Sequence, residues 1–181
     1  MGVPWPGLAK EPFWRLVYDA HPTPVRMHLP NTACLCGASH ADRRHCFWEC
    51  PVAGAVRDTI CAELDRSGRS TSGLDISNIC LAVAPPGLHQ GVWDVVALAA
   101  LGAMDKGQRH MWQRSPDGVP GGPELSQRAA RRAVIHFQEQ LHDFASLGRL
   151  PKGGNREQLQ DHPFLCLATA GATRVRVCYS F

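Results

Sequence analysis

The sequence predicts a mainly α, loop-rich fold with a small β part (α+β small): a cysteine knuckle, then three longer helices, then a short C-terminal β-hairpin. Three observations predict it. Apolar residues recur at helical spacing over 51–66, 90–114 and 126–147. The 17 Gly and 14 Pro of the 181 residues gather between those stretches, which breaks the chain into a few regular elements with long connections. Cys34, Cys36, His45 and Cys50 crowd into CLCGASHADRRHCFWEC, spaced Cys-x-Cys-x8-His-x4-Cys. With 44% hydrophobic residues the chain has the material for one core, so the expectation is one domain, or one domain with a small satellite.

Residues 1–10 are Pro-rich and read as a flexible tail. From Pro12, Phe13, Leu16, Val17 and Ala20 fall at helical spacing until Pro22 and Pro24 forbid continuation, and this short helix delivers the chain to the knuckle. Pro51 suits a first helical turn, where its missing N–H has no partner to lose. Val52, Val56, Ile60 and Leu64 then repeat every four residues, which predicts a helix over 51–66 that ends in the polar RSGRSTSG. The module therefore spans 11–66. A helical region at 67–148 follows, and its first segment, DISNICLAV at 75–83, fits a helical turn or two capped by Asp75, or a short buried strand.

Residues 90–114 read as a core helix, apolar almost all round in the first half and basic in the second. SPDGVPGGPEL, residues 115–125, reads as a linker. A third helix is expected over 126–147, striped by Ala130, Ala133, Val134, Phe137, Leu141 and Phe144 and stopped by Gly148 and Pro151. Arg128, Arg131 and Arg132 then fall in its first turns, where they oppose the helix dipole. In the C-terminal extension, 149–181, TRVRVCYSF alternates as a half-buried strand does, and PFLCLAT is placed to pair with it through a turn at Gly171.

Three thiolates and one imidazole in so short a stretch are the donor set of a tetrahedral Zn²⁺ site, and Gly37 after the second Cys allows the tight turn a knuckle needs. The ligands are then Cys34, Cys36, His45 and Cys50, with Cys46 and His40 as alternatives for the first of them. Three thiolates plus a His close the shell, so the metal is expected to be structural. Replacing Cys50 or His45 is expected to unfold residues 34–66 locally. The remaining cysteines, Cys61, Cys80, Cys166 and Cys178, sit among apolar neighbours as small hydrophobes do.

Composition bounds the rest. The start MGVPWPGLAKEPFWR lacks a basic-then-apolar secretory pattern, and eight Cys in a chain of this length do not make a dense disulfide scaffold. The expectation is an intracellular, reducing compartment, nucleus or cytoplasm rather than an organelle, and not secretion. No run of about eighteen apolar residues exists to span a membrane. A formal net charge of +3 does not by itself indicate nucleic acid.

Cys36 and the residues GASHADRRHCFWECPVAGAV that follow it, with His45, Cys50, Pro51 and Ala53, resemble the zinc-binding region near the C-terminus of reverse transcriptases from non-LTR (LINE-type) retrotransposons. The upstream Trp14-Arg15-Leu16, the basic Arg26, the helix VVALAALGAMDKGQRHMW and His162-Pro163-Phe164-Leu165 are similar to the same group, more loosely. The commoner family pattern opens Cys-x-x-Cys, whereas here Ala33 stands in the first place and Cys34-x-Cys36 makes a tighter knuckle. The resemblance implies a module that helps hold template RNA or target DNA.

Catalysis is not expected. The sequence has no Asp-Asp pair for a polymerase palm, and no GxSxG, Walker A, HExxH or GxGxxG. Glu49 beside Cys50 lacks the His-x-Glu and Pro-Cys-x-x-Cys of zinc deaminases. What remains is binding. Arg43, Arg44 and Trp48 on the knuckle loop combine guanidinium charge with an aromatic face suited to RNA or single-stranded DNA, and Arg128, Arg131 and Arg132 could clamp phosphates. The alternative is a scaffold subunit, for instance of a ribonucleoprotein, in which zinc serves only the fold and the long helices dock a protein partner.

Overall fold

The computed structural model describes residues 7–115, 119, 121–147, 156–168 and 175–178. Their order is α1 (Gly7–Val17), a π-helical turn (His45–Glu49), α2 (Pro51–Arg66), α3 (Ile76–Cys80), α4 (Gln90–Arg114), α5 (Gly122–Ser146), a 3-10 turn (Arg156–Leu159), β1 (Leu165–Leu167) and β2 (Val175–Val177). The expected mainly helical fold with a two-stranded antiparallel sheet is what forms.

Helix α4 is the axis of the core. Its first half, apolar all round, can be satisfied only by burial on every side, and α1, α2, α3 and α5 all pack against it. Val92, Trp93 and residues 95–101 are fully buried. Small residues set the helix spacing: a Cβ on Gly107 would stand 2.5 Å from Val52 Cγ1 and 3.1 Å from the Ala133 Cβ, so α2, α4 and α5 meet closely there. Trp93 donates its indole N–H to the Asn78 carbonyl at 2.8 Å, which satisfies the one polar atom of the largest core side chain.

Helices α2 and α4 have the expected bounds. The ambiguous segment after Asp75 is helical: the Asp75 carboxylate accepts from the Ser77 N–H at 2.8 Å, and the Asn78 side chain accepts from the Asp75 N–H at 2.7 Å. This reciprocal capping satisfies orphan donors that a strand would have to pair elsewhere.

Two boundaries differ from expectation. Helix α1 starts at Gly7, so residues 7–10 are helix rather than tail, and Pro12 lies inside it. The turn bond lost at Pro12 is offset by burial of Phe13 and Leu16 and by the Glu11–Arg15 ion pair at 2.6 Å, one turn apart. Residues 1–6 lie outside the described residues. Helix α5 starts at Gly122, which shortens the 115–125 linker: Pro123 stands in the first turn and Glu124 complements the dipole there. Arg128, Arg131 and Arg132 therefore lie beyond the first turn, and the dipole opposition expected for them does not apply.

Strands β1 and β2 pair antiparallel with Leu165 opposite Val177 and Leu167 opposite Val175. Phe164, just ahead of β1, sits edge-on between Trp93 and Phe137, which ties the hairpin to α4 and α5. The expected turn at Gly171 and the helix stop at Gly148 and Pro151 lie outside the described residues. Among the described residues no helix is long and apolar enough to cross a membrane.

Candidate metal centre

The knuckle is built by backbone bonds. Ala41 N–H donates to the Thr32 carbonyl at 2.7 Å, Cys34 N–H to Ala38 at 2.8 Å and Gly37 N–H to Cys34 at 2.9 Å. Gly37 has φ +101°, a conformation open to Gly and strained for L side chains, so the residue after Cys36 is what lets the turn close. Asp42 starts the next turn, its carboxylate accepting from the His45 N–H at 2.7 Å. The chain then winds wide rather than α-helical. Cys50 N–H donates to the His45 carbonyl at 2.7 Å, an i to i−5 bond that brings Cys50 back over His45. Cys50 in turn caps α2, its carbonyl accepting from Gly54 N–H at 2.8 Å.

The result is a four-donor cluster. The ligand atoms of Cys34, Cys36, His45 and Cys50 all lie within 4.8 Å of one another. A tetrahedral ion with metal–sulfur bonds of about 2.3 Å and a metal–nitrogen bond of about 2.0 Å has sulfur–sulfur edges of about 3.8 Å and sulfur–nitrogen edges of about 3.5 Å. The Cys36 Sγ to His45 Nε2 distance is 3.4 Å, which fits such an edge. Cys34, His45 and Cys50 are buried and Cys36 is half-buried. Among the described residues no other group of three or more His, Cys, Asp or Glu donors converges in this way.

Crowding perturbs the donors in opposite directions. Cys50 is held well below the ordinary thiol value, by a hydrogen bond from Cys34 and, against the opposing effect of burial, by His45, the Val52 N–H and Gln108. Cys34 is pushed up by its hydrogen bond to Cys50 and by burial; burial also pushes Cys36 up. The anionic Cys50 raises His45. Cys46, the alternative ligand, stands outside the cluster as a buried thiol that burial pushes up to about 12. His40 is also outside it and exposed.

Gln108 was not legible from the sequence. It reaches from α4 to the Cys46 carbonyl, at 3.3 Å, and to Cys50, so the core helix orients the ligand loop. His21 and Asp105 are a second such tie. His21 Nε2 and Asp105 Oδ1 are 3.0 Å apart and buried, and the His21 ring lies edge-on to Phe47 with centroids 4.6 Å apart. Burial opposes the Asp105 charge, yet the His21 hydrogen bond and the Arg109 charge outweigh it and hold the carboxyl below its ordinary value.

The expected nucleic-acid residues divide into two groups. On the knuckle, Arg43 donates to the Leu16 carbonyl at 3.2 Å and pairs with Asp19 at 3.4 Å; Arg44 pairs with Glu49 at 2.6 Å. One face of Trp48 is covered by the Arg57 guanidinium, 4.8 Å from the ring centroid, and Phe47 is fully buried. These three site residues are thus partly engaged within the protein. On α5, Arg128 pairs with Glu124, whereas Arg131 and Arg132 are exposed and have no acidic partner among the described residues.

The fold and cluster define a small helical protein whose Cys34, Cys36, His45 and Cys50 are placed so that they could hold a metal ion. No protein-family model, curated protein or solved structure matches the chain.

Proposed function

We propose that the metal is zinc and that the protein is a non-catalytic zinc-binding module that holds RNA or single-stranded DNA. The observation that carries the metal part is the convergence of three sulfurs and one imidazole nitrogen within 4.8 Å. Soft thiolates with a borderline imidazole in a tetrahedral arrangement select Zn²⁺ over hard cations, and four protein ligands leave no open position for a substrate. The resemblance of 36–53 to the zinc-binding region of non-LTR retrotransposon reverse transcriptases supports the nucleic-acid part, as do the uncompensated Arg131 and Arg132. Arg43, Arg44, Trp48 and Arg128 contribute once their internal partners are exchanged for phosphates or bases.

The ion pairs of Arg43 with Asp19 and of Arg44 with Glu49 favour a second reading, in which the module is a scaffold and zinc serves only its shape. Salt dependence separates the two. Binding of a single-stranded oligonucleotide through several phosphate contacts should weaken linearly in log–log form between 50 and 200 mM salt, with a slope near −0.7 per phosphate contacted. No binding at low salt, or binding indifferent to salt, would leave the scaffold reading standing.

A further inference from the structure

Helices α4 and α5 do not close on each other along their exposed edge. Lys106, Arg109 and His110 on α4 face Arg132, His136 and Glu139 on α5 across a groove of about 360 Å³. The residues recur three and four apart on each helix, so each set forms one wall. Three cations oppose one carboxylate. Arg109 is answered by Asp105 at 2.9 Å, but neither Lys106 nor Arg132 has a carboxylate within ion-pair distance among the described residues. Both side chains are exposed and exchange no buried contact when a ligand arrives.

Two imidazoles line the same groove. His136 Nδ1 lies 3.1 Å from Lys106 Nζ and 3.4 Å from Glu139 Oε2, so that ring stands between a cation and the one carboxylate of the groove. Burial is the main cause holding His136 below its ordinary value, and the Lys106 charge adds to it, with Glu139 and Asp143 opposing. His110 is lowered by burial and by the charges of Arg132 and Arg114. The groove thus offers two cations without an ion-pair partner beside two imidazoles, and its size exceeds what a bare ion needs; it falls in the range of small-ligand pockets. An oxyanion with several acceptor oxygens and an attached ring fits it, and the planar fork of Arg132 suits two of those oxygens at once.

We propose that the α4–α5 groove binds a phosphate ester of a nucleoside, with Lys106 and Arg132 holding the phosphate from opposite walls. The ester is supplied either by a unit of a nucleic-acid strand or by a free nucleotide. In the first case the inference rests on the nucleic-acid reading above; in the second it stands without it.

The test titrates the full, metal-loaded chain with a labelled oligouridylate of about twelve residues and, separately, with uridine 5′-monophosphate. The variants are Lys106→Gln, Arg132→Gln and, as a charge-matched control away from the groove, Arg66→Gln at the C-terminal end of α2. The expected result is at least a tenfold loss of affinity in either groove variant, with circular dichroism unchanged, and a smaller loss in the control. Loss for the oligonucleotide alone assigns the groove to a strand. Loss for the mononucleotide, with no oligonucleotide binding to begin with, assigns it to a free nucleotide and removes the nucleic-acid reading while the groove stands. Oligonucleotide binding that both groove variants retain in full overturns the groove and spares the nucleic-acid reading. Failure of both probes to bind overturns both.

Discussion

Removing one ligand from the half-exposed side of the metal centre isolates what the ion contributes. Cys36→Ala is the suited change, because Cys36 is half-buried whereas Cys50 is fully buried, caps α2 and is bonded to Gln108. Ordering the roughly twenty residues from 31 to 50 costs about 1–2 kcal/mol each in backbone entropy. Their main apolar anchors are Leu35 and Phe47, worth about 1.5–3 kcal/mol apiece when fully buried. Backbone bonds within the knuckle add a net of about 1 kcal/mol each, and a structural zinc ion supplies on the order of 10–16 kcal/mol in small modules. Without the ion the segment is therefore not held. Helix α2 is a different case: Val52, Ala53, Val56, Ile60 and Leu64 are buried, and the helix packs on both α4 and α5.

The expected outcome in Cys36→Ala, or after chelation, is loss of amide protection across 32–50 with protection retained in 51–66 and 90–114, read by hydrogen exchange and mass spectrometry. The sequence alone placed the lower limit of this opening at residue 66; the packing of α2 moves it to about Cys50. Elemental analysis should give one zinc per wild-type chain. Less than about half a zinc per chain, or knuckle protection that survives metal removal, refutes the reasoning. Opening that spreads through α2 restores the sequence-based limit. Competition between protons and the metal adds a pH criterion. Cys34, Cys36 and His45 all have raised values, so the metal-free site holds more protons than the loaded one, and affinity should fall as pH falls.

Gly107→Ala should destabilise the protein, because the new Cβ would stand 2.5 Å from Val52 Cγ1 and 3.3 Å from the Ala129 carbonyl; overpacking of about 1–3 kcal/mol outweighs the gain of about 1 kcal/mol in helix propensity, and a urea midpoint that rises instead would refute the close approach. His162 is 1% exposed, and burial depresses its imidazole to about 3. The unfolded chain, titrating near 6.5, binds the proton that the folded chain refuses, so stability should drop by about 2 kcal/mol between pH 7 and pH 5. In His162→Asn that part of the slope should vanish, and an unchanged slope in denaturation at the two pH values would count against it.

Much of the fold could be read from local pattern. The four-residue repeat of Val52 to Leu64 and the proline at its head fixed α2, and the all-round apolar run fixed α4, because periodicity and capping act between neighbours in the chain. The donor set of the metal site was legible for the same reason: all four residues fall within one short stretch, and Gly37 supplies the turn. The starts of α1 and α5 were not legible, since Pro12 and Pro123 each allow two readings that only packing and first-turn chemistry decide.

By itself, then, the sequence determined which residues can hold a metal and which segments are helical, both consequences of short-range spacing. Tertiary structure decided the rest. It set Gln108 against Cys46, 62 residues away, and His21 against Asp105, 84 residues away, because the core-facing side of the second half of α4 buries these polar atoms, which find partners wherever the chain brings them. It also redistributed the charges that the sequence offers as equals. Arg43 and Arg44 meet Asp19 and Glu49, while Lys106 and Arg132 face one another across a groove with no carboxylate within ion-pair distance of either among the described residues. An electrostatic surface depends on distances of a few ångströms between side chains far apart in sequence, and those distances exist only once the helices have packed.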